Sequence, residues 1–400
     1  MLITPEPRTA APPDGAPIVG MIGGGQLARM TAAAAEALGV GFRVLASSVD
    51  DPAAQVVRDT WIGSHLDAAV VGAFSAGCAV VTFDHEHVPA DCLAAVTATG
   101  AQVRPGSAAL ALAQDKALMR QRLTELGHPC PRWAVLDRAQ AREGPSQADS
   151  FIAQVGWPII VKTSRGGYDG RGVWRIEDVD ALSALLTQEL PDGACWLLEE
   201  CVPFEQELCA QVARSPSGQA VAYPVVRTRQ IDGMCAEVIA PAPQLDESLA
   251  MQAQQIALRI AGDLDVVGML AVELFQAGNQ LAVNELAMRP HNSGHWSIEG
   301  AVTSQFENHL RAVLDLPLGD PAPRSPVAVM VNIIGTDARD LYSGYRHVLA
   351  RDPQVKVHLY GKSVRPGRKL GHVTLVGNDP QELLTRAQHA AHYLSGIIDE

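Results

Sequence analysis

Two short apolar runs, Met269 to Phe275 and Leu281 to Leu286, flank the segment Ala277-Gly278-Asn279-Gln280, and each run carries one glutamate, Glu273 or Glu285. Runs of this length around a Gly-Asn turn predict an antiparallel hairpin. Side chains alternate along a strand, so the parity of the loop decides what the hairpin can do. An odd loop, Gly278 to Gln280, sets the two glutamates directly opposite, with Cβ atoms roughly 4.5–5.5 Å apart. An even loop turns them to opposite faces, and a shared site fails. An ionised carboxylate among apolar neighbours is costly unless a positive charge neutralises it, and a shared divalent cation beneath nucleotide phosphates would do so. A pair of salt-bridged core glutamates is the competing reading.

The stretch that follows, Asn284 to Trp296, adds Arg289, His291, Asn292 and His295, packing acceptor, cation and imidazole chemistry into one short run. A chain of 400 residues that is 47% hydrophobic can bury substantial cores and is expected to divide into two or three domains. Its formal charge of −13 disfavours binding a nucleic-acid backbone over a broad surface. Seven cysteines, an odd number with no Cys-x-x-Cys pair, argue against a disulfide framework and for a reducing cytoplasm. The opening Pro- and Ala-rich residues 1–17 read as a flexible tail. No run of about eighteen apolar residues occurs, so no membrane span is expected.

After the tail, Ile18 to Ile22, Gln26 to Leu38 and Phe42 to Ala46 read as a βαβ start, and strands at Ala79 to Phe83 and Ala101 to Arg104 flank a helix, Asp91 to Thr99. A doubly wound, Rossmann-like domain is expected over 18–112. Ser107 to Gly127 reads as one long helix leading into residues 113–203, a linker and a strand-rich unit suited to a mobile lid. There Ile159 to Thr163, Val173 to Ile176 and Trp196 to Cys201 are strands, Asp178 to Leu190 is a helix, and Asp137 to Ser150 is a loop. Residues 204–400 read as an α+β domain with helices at Glu247 to Leu264, Ser297 to Leu314 and Pro380 to Ser395.

Several motifs fit this frame. Gly23-Gly24-Gly25-Gln26-Leu27-Ala28 matches a dinucleotide fingerprint, but the first acid after the second strand, Asp50, comes late for a ribose. A small anion at the helix N-terminus and a purely structural turn are both open. The loop Ser164 to Gly172 follows Lys162 and offers glycines for close approach to phosphates, without the GK[ST] ending of a P-loop. Lys116 alone is uninformative, and Leu197 to Val202 followed by Glu207 reads as a strand edge for adenine and ribose. Thr82 to Pro89 ends a parallel strand with Asp84, His85, Glu86 and His87; alternation sends these to both faces, so a substrate-reading carboxylate fits better than one metal. Lys362, Arg365, Arg368 and Lys369 crowd one segment that could grip a phosphate.

Taken in order, GGGQLARM, TFDHEHVP, QDK, SRGGYDGRG, NELAMRPHNSGHW and YGKSVRPGRKLGH resemble the ATP-grasp superfamily, and within it the 5-(carboxyamino)imidazole ribonucleotide synthase family, from about Ile18 to the C-terminus. The resemblance implies an ATP-grasp ligase. ATP would phosphorylate bicarbonate to carboxyphosphate, which carboxylates aminoimidazole ribonucleotide in purine biosynthesis. It implies magnesium, or manganese, on Glu273 and Glu285. Lys116, Lys162, Glu199, Glu200, Val202, Glu207 and Asn284 would bind ATP, and Arg289, His291 and Asn292 would be catalytic. Gln26, Leu27, Glu86, Tyr168, Asp169, Lys362 and Arg368 would surround the substrate nucleotide. It also implies a homodimer. Asp84 departs from the family's usual Glu and receives no role. A sister ligase that activates formate, such as a glycinamide ribonucleotide transformylase, a non-catalytic nucleotide sensor and an NAD-dependent dehydrogenase remain the alternatives.

Overall fold

The computed structural model describes residues 15–167, 170–337 and 340–399, arranged around three sheets. Residues 1–14 of the expected tail lie outside the described residues. The first sheet is parallel, in the order β3-β2-β1-β4-β5, with β1 Ile18–Ile22, β2 Gly41–Ala46, β3 Asp59–Ile62, β4 Val80–Phe83 and β5 Gln102–Val103. Helices α1 Gln26–Leu38, α2 Ala68–Ser75 and α3 Ala90–Ala98 connect them. The strands β1 and β4 are buried beyond Ile18 and apolar except for Thr82, as central parallel strands tend to be. β3 and α2 were not anticipated: Asp59–Ile62 sits at a half-exposed edge and lacks a continuous apolar run.

The expected single helix over 107–127 is two, α4 Ser107–Gln114 and α5 Lys116–Glu125. Asp115 adopts an extended backbone between them, and its carboxylate accepts from the Ala117 and Leu118 amides at 3.0 and 3.2 Å, which makes it the N-cap of α5. The second sheet, β6-β9-β7-β8, is antiparallel: β6 Trp133–Leu136, β7 Ile159–Thr163, β8 Val173–Ile176 and β9 Trp196–Glu200. The segment expected to be a loop, Asp137 to Ser150, carries α6 Arg138–Glu143, a 3-10 turn at Pro145–Ala148 and the start of α7 Asp149–Val155, and α8 Val179–Leu186 follows. A reciprocal capping box between Asp137 and Gln140 starts α6, a polar signal that a search for apolar periodicity passes over.

The third sheet has nine strands. They are β10 Gln206–Arg214, β11 Ala220–Ala222, β12 Val226–Ile231, β13 Met234–Ala240, β14 Gly268–Ala277, β15 Gln280–Ala287, β16 Val327–Ile334, β17 Lys356–Leu359 and β18 Lys369–Gly377. Helix α9 Glu247–Asp263 buries Leu249, Ile256 and Ile260 against Leu208, Leu270 and Val272 of one face. The stretch expected as one helix over 297–314 divides into α10 Ser297–Gly300 and α11 Gln305–Val313, with Ser304 capping the second. The chain closes with α12 Tyr345–Arg351 and α13 Pro380–Leu394. All seven cysteines are unpaired. Among the described residues no helix is long and apolar enough to cross a membrane.

Candidate active site

The loop between β14 and β15 has two residues, Gly278 and Asn279, since Ala277 pairs with Gln280. That even count contradicts the odd loop required for Glu273 to oppose Glu285, yet the two are opposed. A bulge reconciles the facts. The register shifts between Glu273 and Leu274, so Leu274 pairs with Val283, Glu273 pairs with Glu285, and Asn284 is left over. The displaced Asn284 is held from both ends: its Oδ1 accepts from Lys162 Nζ at 3.1 Å and its carbonyl from Arg120 at 2.7 Å.

The facing carboxylates are electrostatically unequal. Burial, reinforced by Glu285 and then Glu207, pushes the Glu273 carboxyl up to about 7. Burial would raise Glu285 as well, but the Lys116 ammonium, 2.5 Å away, together with Lys162 and His291 overrides it and holds that carboxyl low. Glu273 faces an imidazole instead, with His291 Nε2 at 3.5 Å from its Oε1. The Ser293 hydroxyl and amide both meet His291 Nδ1, at 2.9 and 3.4 Å. Burial, then Arg289 and Lys369, push His291 down to about 3.

Lys116 owes its place to the break at Asp115. As the first residue of α5 it donates its amide to Ser164 O at 2.8 Å, while Asp115 also accepts from Arg165 Nε at 2.8 Å. The helix start and the glycine-rich loop are thus fastened together. Within that loop a side chain at Gly167 or Gly172 would meet Arg171 O or Thr163 Oγ1 at 2.6 Å. Tyr168 and Asp169, expected at the substrate, lie outside the described residues.

Two adenosine expectations need correction. Glu199 points inward, 2% exposed, and binds Arg120 Nε at 2.5 Å and Lys162 Nζ at 2.7 Å. Burial would raise its carboxyl, but Lys162 and Arg120 bring it down to about 2, so it anchors two buried cations and its side chain does not face a ribose. Nor is β9 an edge: it lies between β6 and β7, and Glu200 is held by the Arg132 amide and Nε at 2.9 and 2.8 Å. Val202 lies beyond the strand and accepts from the Phe204 amide at 2.9 Å. Glu207, on β10 two residues from Cys209, the partner of Glu273, is raised by its own burial.

On the opposite wall, Arg289 Nε lies 2.9 Å from Glu86 Oε1, joining the segment after β15 to the end of β4. Burial acts to lower the guanidinium's pKa, but Glu86, with Asp84 and Glu285 behind it, more than offsets it. The anion position at the start of α1 is filled by Asp84, which accepts from the Gly25 and Ala28 amides at 2.5 and 3.3 Å. A side chain at residue 25 would strike that carboxylate. The glycines of the fingerprint therefore serve an internal cap, and both the dinucleotide and the small-anion readings fall. Leu27 turns its side chain into a core with Met21 and Phe306, which leaves its backbone for the expected substrate contact; Gln26 beside it is half-exposed.

Lys362 Nζ sits 5.6 Å over the Tyr360 ring, and Arg368 donates to Ser363 O and Oγ at 3.2 and 2.7 Å. Gln55 Nε2 donates to Gly361 O at 2.8 Å, tying this loop to the first domain. Asn292, next to His291, opens the short 3-10 turn Asn292–Gly294. Sequence reasoning missed Arg120, although its spacing of four from Lys116 puts both on one face of α5. It also missed Asp115 as a cap, and Gln305, for which the sequence carries no signal.

Among the described residues no group of three or more His, Cys, Asp or Glu could hold a metal by itself. Glu273 and Glu285 nevertheless fit a magnesium bound together with phosphate oxygens: they are hard oxygen donors and stand opposed across the hairpin.

The chain matches the ATP-grasp domain over residues 121–306, the ribonucleotide synthetase preATP-grasp domain over 17–114 and the phosphoribosylaminoimidazole carboxylase C-terminal domain over 328–386. It is 53% identical over 384 residues to the N5-carboxyaminoimidazole ribonucleotide synthase of Mycobacterium tuberculosis, covering 95% of this chain and 88% of the relative. Among solved structures, the N5-carboxyaminoimidazole ribonucleotide synthetase of Thermus thermophilus is 38% identical, with a TM-score of 0.82 over 96% of this chain and 99% of that one. The Aspergillus clavatus N5-carboxyaminoimidazole synthase, in complex with ADP and 5-aminoimidazole ribonucleotide, is 30% identical with a TM-score of 0.86, covering 95% of this chain and 99% of that one.

Proposed function

The chain belongs to the N5-carboxyaminoimidazole ribonucleotide synthase family of ATP-grasp enzymes, and from that membership we propose how its residues divide the work. It is an ATP-dependent ligase that carboxylates 5-aminoimidazole ribonucleotide. We take the carboxyl donor to be bicarbonate. Its oxygen attacks the γ-phosphorus of ATP, ADP leaves, and the resulting carboxyphosphate gives its carboxyl group to the exocyclic amine as phosphate departs. The departing phosphate takes the amine proton.

The observation that carries this reading is the opposition of Glu273 and Glu285 across a bulged hairpin, with Lys116 on one carboxylate and Lys162 on the bulge itself. These two glutamates would hold magnesium, or manganese, which when bound supplies charge neutralisation to the transferring phosphoryl group. Lys116 and Lys162 would move from Glu285 and Glu199 to the phosphates. Val202 and Glu207 would meet the adenosine, Glu200 fixing the strand end. Arg289, poised against Glu86, would bind the carboxyphosphate anion between the two substrates, with Asn292 beside it. Gln26, Glu86, Tyr168, Asp169, Lys362 and Arg368 would line the substrate nucleotide. Residues 113–203 would act as a lid that shields the mixed anhydride from water. The same reading extends to a homodimer working in a reducing cytoplasm, in keeping with the unpaired cysteines.

The test is a product assay. ADP release should require bicarbonate together with aminoimidazole ribonucleotide and yield one carboxylated nucleotide per ADP. Turnover with formate and glycinamide ribonucleotide instead would assign the chain to the sister ligase.

A further inference from the structure

Gln305, the first residue of α11, is fully buried, and all the hydrogen-bonding positions of its amide are used. Oε1 accepts from the His291 amide at 2.9 Å and from Gln211 Nε2 at 3.3 Å. Nε2 donates to His291 O at 2.8 Å and to His295 Nδ1 at 3.1 Å. The two bonds to the N–H and C=O of one residue grip His291 as a neighbouring strand would. Ser297 Oγ fixes the clamp from below, accepting from the Gln305 amide at 2.9 Å and donating to Gly294 O at 2.6 Å. Gly294 is required here, because a Cβ there would overlap the amides of both Gln305 and Gln211.

The neighbouring residue gives the clamp its reach. Phe306, 1% exposed, packs with Met21, Leu27 and Ala28 of the first domain, so α11 joins α1 rigidly to the backbone of His291. Two residues before His291, Arg289 meets Glu86 of that same domain. We infer that Gln305 is a positioning residue that sets the distance between the carboxyphosphate side of the cleft and the domain holding the acceptor nucleotide, so that ATP cleavage and carboxyl transfer stay coupled. It acts through the backbone at His291 and touches no reacting atom. The inference rests on the proposed carboxylation, since coupling has meaning only where an intermediate must cross from one side to the other.

The experiment uses the full chain with Gln305→Met, which keeps the volume and removes the amide, and Gly294→Ala, which displaces the amide and leaves Gln305 in place. In both, carboxylated product per second should fall roughly 10- to 100-fold, as for small misplacements of reacting groups. KM for ATP should stay within about twofold, because Lys116 and Lys162 are held by other elements, and ADP released per product should rise above one. Gln305→Glu, whose buried carboxyl stays protonated and still offers His291 a donor and an acceptor, should recover most of the rate. Folded variants that keep one product per ADP at near wild-type rates would overturn the inference, as would a KM for ATP that rises in step with the loss. Failure of both disruptive variants to fold would do the same, leaving Gln305 a folding residue. A wild-type chain that makes no carboxylated product would instead defeat the proposed function.

Discussion

Single residues carry much of the electrostatic design, and Glu199 is the clearest case. It neutralises Arg120 and Lys162 where water cannot. Glu199→Ala would leave two buried cations without their partner and should cost about 3–5 kcal/mol, read as a lower urea midpoint. A stable Glu199→Ala protein with only a raised KM for ATP would make it a ribose ligand after all. Glu273 gives a pH signature of opposite kind. Its folded carboxyl titrates at about 7, above the ordinary 4.5, so its contribution to stability is fully present below about pH 4.5 and lost as pH rises through 7. The nucleotide-free protein should therefore lose stability between about pH 5 and about pH 8, and Glu273→Gln should flatten that loss in parallel denaturation series.

At the level of elements, the hairpin shows what sequence can and cannot say. Its two strands, their apolar faces and the two carboxylates are legible from composition alone, and so is the βαβ start, where α1 runs over Gln26–Leu38 as its periodicity requires. Loop parity is not legible, because one bulged residue cancels it, and nothing in Val283-Asn284-Glu285 announces a bulge. The cut at Asp115 is hidden for another reason: helix propensity runs continuously through Gln114 to Lys116, and the break exists because Ser164 accepts the Lys116 amide. The glycine fingerprint was legible as a turn and misleading as a ligand site, since its occupant is Asp84, 59 residues on from Gly25. Asp115→Ala tests the role of the cut. Losing the cap should cost about 1 kcal/mol. Releasing Arg165 and Lys116 should raise KM for ATP more than it lowers kcat, as steady-state kinetics would report; an unchanged KM would mean that the cap serves the fold alone.

On the scale of the molecule, each sheet contributes a different chemical task to one cleft. The parallel sheet brings Glu86, the four-stranded sheet brings Lys162, and the nine-stranded sheet brings both glutamates, with Arg289 just beyond it. Ion pairs between residues far apart in sequence, Lys116 with Glu285 and Glu86 with Arg289, tie the walls of the cleft together. Magnesium-dependent binding of ATP should depend on the glutamate pair, and thermal unfolding with ATP, with and without magnesium, measures that dependence. For the wild-type chain, saturating ATP at about a hundred times its Kd should add about 2.7 kcal/mol of stability, and most of that should require magnesium. The double variant Glu273→Gln, Glu285→Gln should fold and lose the magnesium-dependent part; an equal magnesium-dependent shift in that variant would contradict the account.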